Sequence, residues 1–178
     1  MEAIAAKHGA EIVYKPLDII ALFGRTGGMP PKERHVSRQE YRAQELVRQA
    51  KKLGMEFNLH PAHWPTNMAP SSYAFIAAAN AGGGNLGALA HGFTRACWAE
   101  EKDIAQDDVI RACLVEAGFD TALAASGLLV GAETYARNLD EAVEAGAFGA
   151  PFYVTDDGAR FWGQDRLDDL DAHLAGEL

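Results

Sequence analysis

Apolar positions recur along this chain mainly with the period of a helix. In SRQEYRAQELVRQAKKLG (37–54), Ala43, Leu46, Val47, Ala50 and Leu53 fall on one face, the three-and-four spacing of an amphipathic helix. Ser37 and Glu40 stand in capping-box register and Gly54 follows the last apolar position, so start and stop signals agree with the period. Further helices are predicted over 71–81, from an Asn85 cap with Leu86, Leu89, Phe93 and Cys97 on one side, and over 108–117 behind an aspartate cap. Asp120 is placed to cap a short helix, and a longer one over 129–145 carries Ala132, Tyr135, Leu139 and Val143, with Gly146 as its stop. The first residues, MEAIAAKHG, read as two helical turns.

Strand signals are confined to the two ends. EIVYKPL (11–17) reads as a short strand ended by Pro16. PFYVTD and ARFW flank Asp157-Gly158, a strong hairpin signal. QDRLDDLDAHL then closes the chain as a helix with Leu167, Leu170 and Leu174 inward, and its DDLD carboxylates (168–171) on a mostly solvated outer face. Two stretches, 18–36 and 57–70, read as irregular connections. The order is helix, strand, helical block, hairpin, helix: an α/β fold in which a small mixed sheet is interrupted by a helical insertion.

Composition narrows the function classes. At 178 residues the chain can build one domain with a sizeable core, and 48% apolar with 23% charged residues is ordinary for a soluble globular protein. A net charge of −9 without any basic run longer than a pair argues against nucleic acid as a partner. No stretch is apolar for long enough to suggest a membrane span, and the N-terminus does not have the layout of a secretory signal. Cys97 and Cys113 form no CxxC pair and are expected to be buried as small hydrophobes, which fits a cytosolic, reduced compartment.

Two motifs invite chemistry and are better read as structure. GGGNLG (82–87) satisfies GxGxxG, but a helix precedes it where the dinucleotide fingerprint needs a strand. It is expected to break one helix and start the next. His60 and His63 have HxxH spacing, but Pro61 interrupts it and no third ligand is near in sequence; no metal site is expected.

Pro151 poses a sharper question, because it heads what otherwise reads as a strand. Proline cannot donate to a sheet ladder, so it belongs at the first strand position, and an X-Pro bond can take the cis form at modest cost. A hairpin and helix behind such a proline, after a helical insertion, is the layout of the thioredoxin superfamily. Within it, GAFGAPFYV…RFWGQDRLDDLDAHL, together with YKPLDI, TGGMPPKERH, YRAQEL and HPAHWPTN, resembles the 2-hydroxychromene-2-carboxylate isomerases, relatives of kappa-class glutathione transferases and DsbA-like proteins. The resemblance covers essentially the whole chain.

The resemblance implies one thioredoxin-like unit, with 1–20 and 147–178 as its thioredoxin-like part and about 37–145 as the helical insertion. It implies a glutathione-dependent enzyme of aromatic, naphthalene-type catabolism, acting on a small aromatic carboxylate and assembled as a homodimer. The isomerase would convert a hydroxychromene carboxylate to a hydroxybenzylidene pyruvate. Glutathione would lie against Ala150 and a cis-Pro151, whose corner presents backbone groups to the peptide, and against Trp162, Gly163, Gln164 and Asp165. The start of the last helix suits a carboxylate, and Asp165 suits the ligand's ammonium.

Lys15, Arg25 and Asn67 are candidates for the substrate carboxylate side, although Lys15 can equally be a strand-end lysine reaching solvent. The family's reactive serine and a first strand are expected upstream of Met1, and neither Ser37 nor Ser71 stands in the corresponding place. No catalytic residue is therefore assigned within this chain. A kappa-type transferase and a non-catalytic thioredoxin-like module holding glutathione or a peptide remain as alternatives.

Overall fold

The computed structural model describes all residues, 1–178. The chain forms two compact units, one from Met1–Gly28 and Ala136–Leu178, the other from Met29–Tyr135.

The first unit opens with α1 (Glu2–His8), which ends on Gly9 in the left-handed conformation. Residues 11–17, expected as a strand, join no sheet. A strand exists by its ladder, and here a side chain meets the backbone instead: Asn138 Nδ2 donates to Pro16 O at 2.9 Å. The irregular connection expected after it instead begins with α2 (Ile19–Thr26). Asp18 caps α2 by accepting from the Ile20 and Ala21 N–H groups, and Leu22 is fully buried.

In the second unit, a 3₁₀ turn at Pro31–Glu33 leads to α3 (Val36–Leu53). The expected capping box is replaced by His35, whose ring Nδ1 accepts from Ser37 N and pairs with the Ser37 hydroxyl. The apolar stripe of α3 is only half-buried, and Leu53 is 63% exposed.

The core of this unit forms around α4 (Ala69–Ala81), where Ala74, Phe75, Ile76, Ala77 and Ala78 are all buried. Helix α5 (Leu86–Trp98) starts on Asn85, whose side chain accepts from Ala88 N. GGGNLG thus stops α4 and starts α5. Gly84 leaves room for the Phe119 ring, which would stand 2.7 Å from a Cβ there. Helices α6 (Asp107–Glu116) and α7 (Leu123–Ser126) follow. Gln106, whose side chain donates to Asp103 rather than capping the helix, occupies the cap position expected for an aspartate, whereas Asp120 accepts from Ala122 N just ahead of α7.

Helix α8 (Leu128–Glu144) comes close to α4 at Gly131, where a Cβ would lie 2.7 Å from the Tyr73 Cα, and Tyr135 meets the Tyr73 ring edge-on at 5.5 Å. Its last turns belong to the first unit, and the chain leaves it through Gly146 at φ 78°.

The hairpin follows, with β1 (Phe152–Val154) antiparallel to β2 (Arg160–Trp162) and Tyr153 opposite Phe161. Its loop is longer than a two-residue turn. Gly158 at φ 86° donates to Thr155 O, and Thr155 donates to Ala159 O, as in a turn closed by a left-handed glycine. Helix α9 (Leu167–Leu174) packs on β2 with Leu170 at 2% exposure.

Candidate functional site

Alternation along the hairpin sorts its side chains onto two faces. Tyr153 and Phe161 share one face, and His173 of α9 packs against the Phe161 ring at a centroid distance of 5.5 Å. Phe152 and Trp162 are paired on the other face. Phe148 meets both edge-on, at 5.1 and 5.0 Å. Phe148 is 44% and Trp162 54% exposed, so this aromatic group is open to solvent.

At its edge the chain turns sharply. The Ala150–Pro151 peptide is cis, and β1 begins directly after it, so the missing proline N–H costs the ladder nothing. Pro151 O accepts from Gly163 N at 3.0 Å, which joins the corner to the end of β2. The Ala150 N–H and C=O, on an exposed residue, take no hydrogen bond. Beneath, Gly149 is buried under the Trp162 indole, with no room for a Cβ.

Gly163 has φ 101° and ψ 157°, a conformation open essentially only to glycine. The Asp165 carboxylate curls back over its Cα. Gln164, Asp165 and Arg166 then form a 3₁₀ turn ahead of α9 rather than its first turn. Gln164 and Asp165 are both exposed.

The structure therefore brings Ala150, Pro151, Trp162, Gly163, Gln164 and Asp165 together. The remaining candidates are engaged with partners of their own. Lys15 Nζ is bonded to Glu141 at 2.5 Å and Arg25 Nη1 to Asp140 at 2.6 Å, both on α8. The Lys15 ammonium holds the Glu141 carboxyl below the usual glutamate range, and Arg137 adds to this. Asn67 belongs to the second unit, where its Oδ1 accepts from Ala69 N at the start of α4.

Ser37 is engaged with His35, and buried Ser71 donates to Met68 O. Cys97 and Cys113 are buried free thiols, and burial pushes both above their ordinary pKa. That is the wrong direction for thiolate chemistry.

Sequence reading passed over three features here. Phe148 and Phe152 complete the aromatic group, and FGAPF carried that signal. The DDLD carboxylates are not all solvated either: Asp171 accepts from Lys7 at 2.7 Å and pairs with His8 at 2.6 Å, fastening α9 to α1.

An exposed corner with an unbonded N–H and C=O, beside an aromatic wall and a carboxylate, can receive an extended peptide as an added strand. Residues 1–175 match the DsbA-like thioredoxin domain model. The chain belongs to the DsbA-like thioredoxin family. Among curated proteins, this DsbA-like chain is 27% identical over 174 residues to a 2-hydroxychromene-2-carboxylate isomerase of Sphingobium xenophagum, covering 96% of this chain and 86% of that one. Among solved structures it is similar to a selenomethionine 2-hydroxychromene-2-carboxylate isomerase, with TM-score 0.76 and 20% identity over 98% of this chain and 85% of that one. The thioredoxin-like fold expected from the C-terminal motif is thus observed, with a sheet of two strands. No helix is long and apolar enough to cross a membrane.

Proposed function

We propose that this protein is a glutathione-dependent isomerase of 2-hydroxychromene-2-carboxylate or a close aromatic relative. The observation that carries the reading is the Ala150 corner, an exposed N–H and C=O with no partner of their own, next to the Gly163 turn. Antiparallel pairing with the cysteinyl backbone of glutathione satisfies both groups. The Asp165 carboxylate is positioned to accept from the ligand's ammonium, and the Trp162 indole walls the corner.

When bound, glutathione supplies the thiol nucleophile that opens the route to double-bond isomerisation. The chain's own part is to orient that peptide and to exclude water on its aromatic side. Lys15 and Arg25 are the cations offered to the substrate carboxylate. Each must exchange its α8 partner for the substrate, an exposed and therefore inexpensive swap.

That engagement favours one second reading. With both cations already neutralised by Glu141 and Asp140, a non-catalytic module that holds glutathione or an extended peptide at the same corner needs neither. The purified chain, shown folded by circular dichroism, is mixed with the hydroxychromene carboxylate and followed by absorbance with and without glutathione. Turnover that requires glutathione supports the isomerase. Glutathione binding without turnover sinks it in favour of the module.

A further inference from the structure

The hairpin register sets Val154 opposite Arg160 and Phe152 opposite Trp162, so Arg160 shares a face with the open aromatic group. The segment GAFG (146–149) runs along that face, and its two glycines have matching uses. A Cβ on Gly146 would stand 2.8 Å from Arg160 Nη1 and 3.0 Å from its Cζ, and Gly149 leaves no room for one under the Trp162 indole. Guanidinium and indole therefore both lie down on bare backbone. Phe148, between the two glycines, reaches Trp162 at 5.0 Å and Phe152 at 5.1 Å.

Arg160 is exposed and makes no ion pair and no hydrogen bond. Other cations of this unit are engaged: Lys15 with Glu141, Arg25 with Asp140, and Arg166 at 3.8 Å from both Asp165 and Asp169. The Arg160 guanidinium also sits at the C-terminal end of α8. The partial negative charge there favours it without using its hydrogen-bond donors.

We propose that Arg160, with Phe148, Phe152 and Trp162, forms a subsite for an aromatic carboxylate, the ring against the aromatic wall and the carboxylate on the guanidinium. Offset or edge-on ring contact suits such a wall, and the guanidinium fork matches a carboxylate. The subsite lies wholly within the first unit and adjoins the Ala150 corner through Trp162. That the carboxylate is the isomerase substrate's rests on the function proposed above. Arg160 offers it a cation without the exchange of partners that Lys15 and Arg25 require.

The test uses the full chain, with 2-naphthoate as an unreactive probe and 2-naphthamide as its uncharged counterpart. Affinities and ¹⁵N-resolved amide shifts are followed for the wild type, Arg160→Met and Arg160→Lys. 2-Naphthoate is expected to shift the Phe148, Gly149, Arg160 and Trp162 amides saturably. Arg160→Met is expected to bind it roughly tenfold or more weakly, the loss of one charge-assisted pair, with 2-naphthamide binding unchanged. Arg160→Lys keeps the charge without the fork and falls between. In turnover of the hydroxychromene carboxylate, Arg160→Met is expected to raise KM with kcat little changed.

The proposal is overturned if 2-naphthoate leaves those four amides unmoved, or if 2-naphthamide binds as tightly. It is equally overturned if Arg160→Met binds 2-naphthoate as the wild type does, or loses both probes alike, since the arginine would then only shape the wall. The probe needs neither glutathione nor turnover, so the two readings fail separately. Binding through Arg160 without any turnover keeps the subsite and loses the isomerase. Turnover that Arg160→Met leaves unimpaired keeps the isomerase and loses the subsite.

Discussion

Replacing Gly163 with alanine probes the candidate site through its backbone rather than through any ligand contact. Gly163 sits at φ 101° and ψ 157°, and holding an alanine there costs about 1–3 kcal/mol. The new methyl also lands where the Asp165 Oδ1 now lies. That carboxylate is exposed and can swing aside, so the contact adds little to stability but displaces the group proposed to meet the ligand's ammonium. For a chain of this length the strain corresponds to a fall of about 2–12 °C in midpoint.

Gly158→Ala is the matched control. Its φ is 86°, but a Cβ there meets nothing within 4 Å, so it carries backbone strain of about 1–2 kcal/mol far from the corner. Thermal melting and glutathione titration calorimetry on both variants give a two-way comparison. Gly163→Ala is expected to lose stability and glutathione affinity together, and Gly158→Ala to lose stability alone. A Gly163→Ala protein with wild-type stability would refute the backbone argument. Equal affinity losses in both variants would refute the assignment of the 163–165 turn to the ligand.

Three further outcomes follow from other parts of the structure. Gly131→Ala puts a methyl 2.7 Å from the Tyr73 Cα and 2.9 Å from its carbonyl oxygen; backbone cannot yield as a side chain does, so urea denaturation is expected to show a loss of about 1–3 kcal/mol. The Asp171, Asp157 and Glu141 carboxyls are held below their ordinary ranges by Lys7 with His8, by Thr155 and the Ala159 N–H, and by Lys15 respectively. Their contribution to stability is full above the ordinary carboxylate range and is lost as pH falls through the lowered values, so unfolding free energy should decline below about pH 4.5, and Asp171→Asn should flatten that decline. Asp140→Asn releases Arg25 from its ion pair, and if Arg25 serves the substrate carboxylate, KM should fall with kcat little changed; an unchanged KM argues against that role.

How far the sequence could be read depended on whether the deciding interaction was local. The Asn85 cap, the stops at Gly54 and Gly146 and the hairpin around Gly158 are signalled within a few residues, and all appear in the structure. Helix α2 was legible in principle from Asp18 and the spacing of Ile19, Leu22 and Phe23. Gly24 and the Gly27-Gly28 pair masked it. His35 displaced Ser37 as the cap of α3 because a histidine Nδ1 can accept the same N–H, an option residue preference does not favour.

Other outcomes were nonlocal. Residues 11–17 have strand composition, but a strand needs a partner, and pairing is not written in the segment itself. Lys15 and Arg25 looked available to a ligand because the carboxylates that engage them are 126 and 115 residues away in sequence. The corner itself was legible because proline at a strand head restricts the backbone, while glycine at 163 permits a turn that other residues cannot make and glycine at 149 leaves room for the Trp162 indole. What sequence could not show is that Ala150 would be left with its N–H and C=O unbonded.

That pair of groups is also where the account is most directly tested. Titrating glutathione into the ¹⁵N-labelled full chain and following the Ala150 amide asks whether the ligand pairs there. The account predicts a saturable shift of Ala150 together with Gly163, Gln164 and Asp165. Glutathione binding that leaves these four amides unmoved would contradict it.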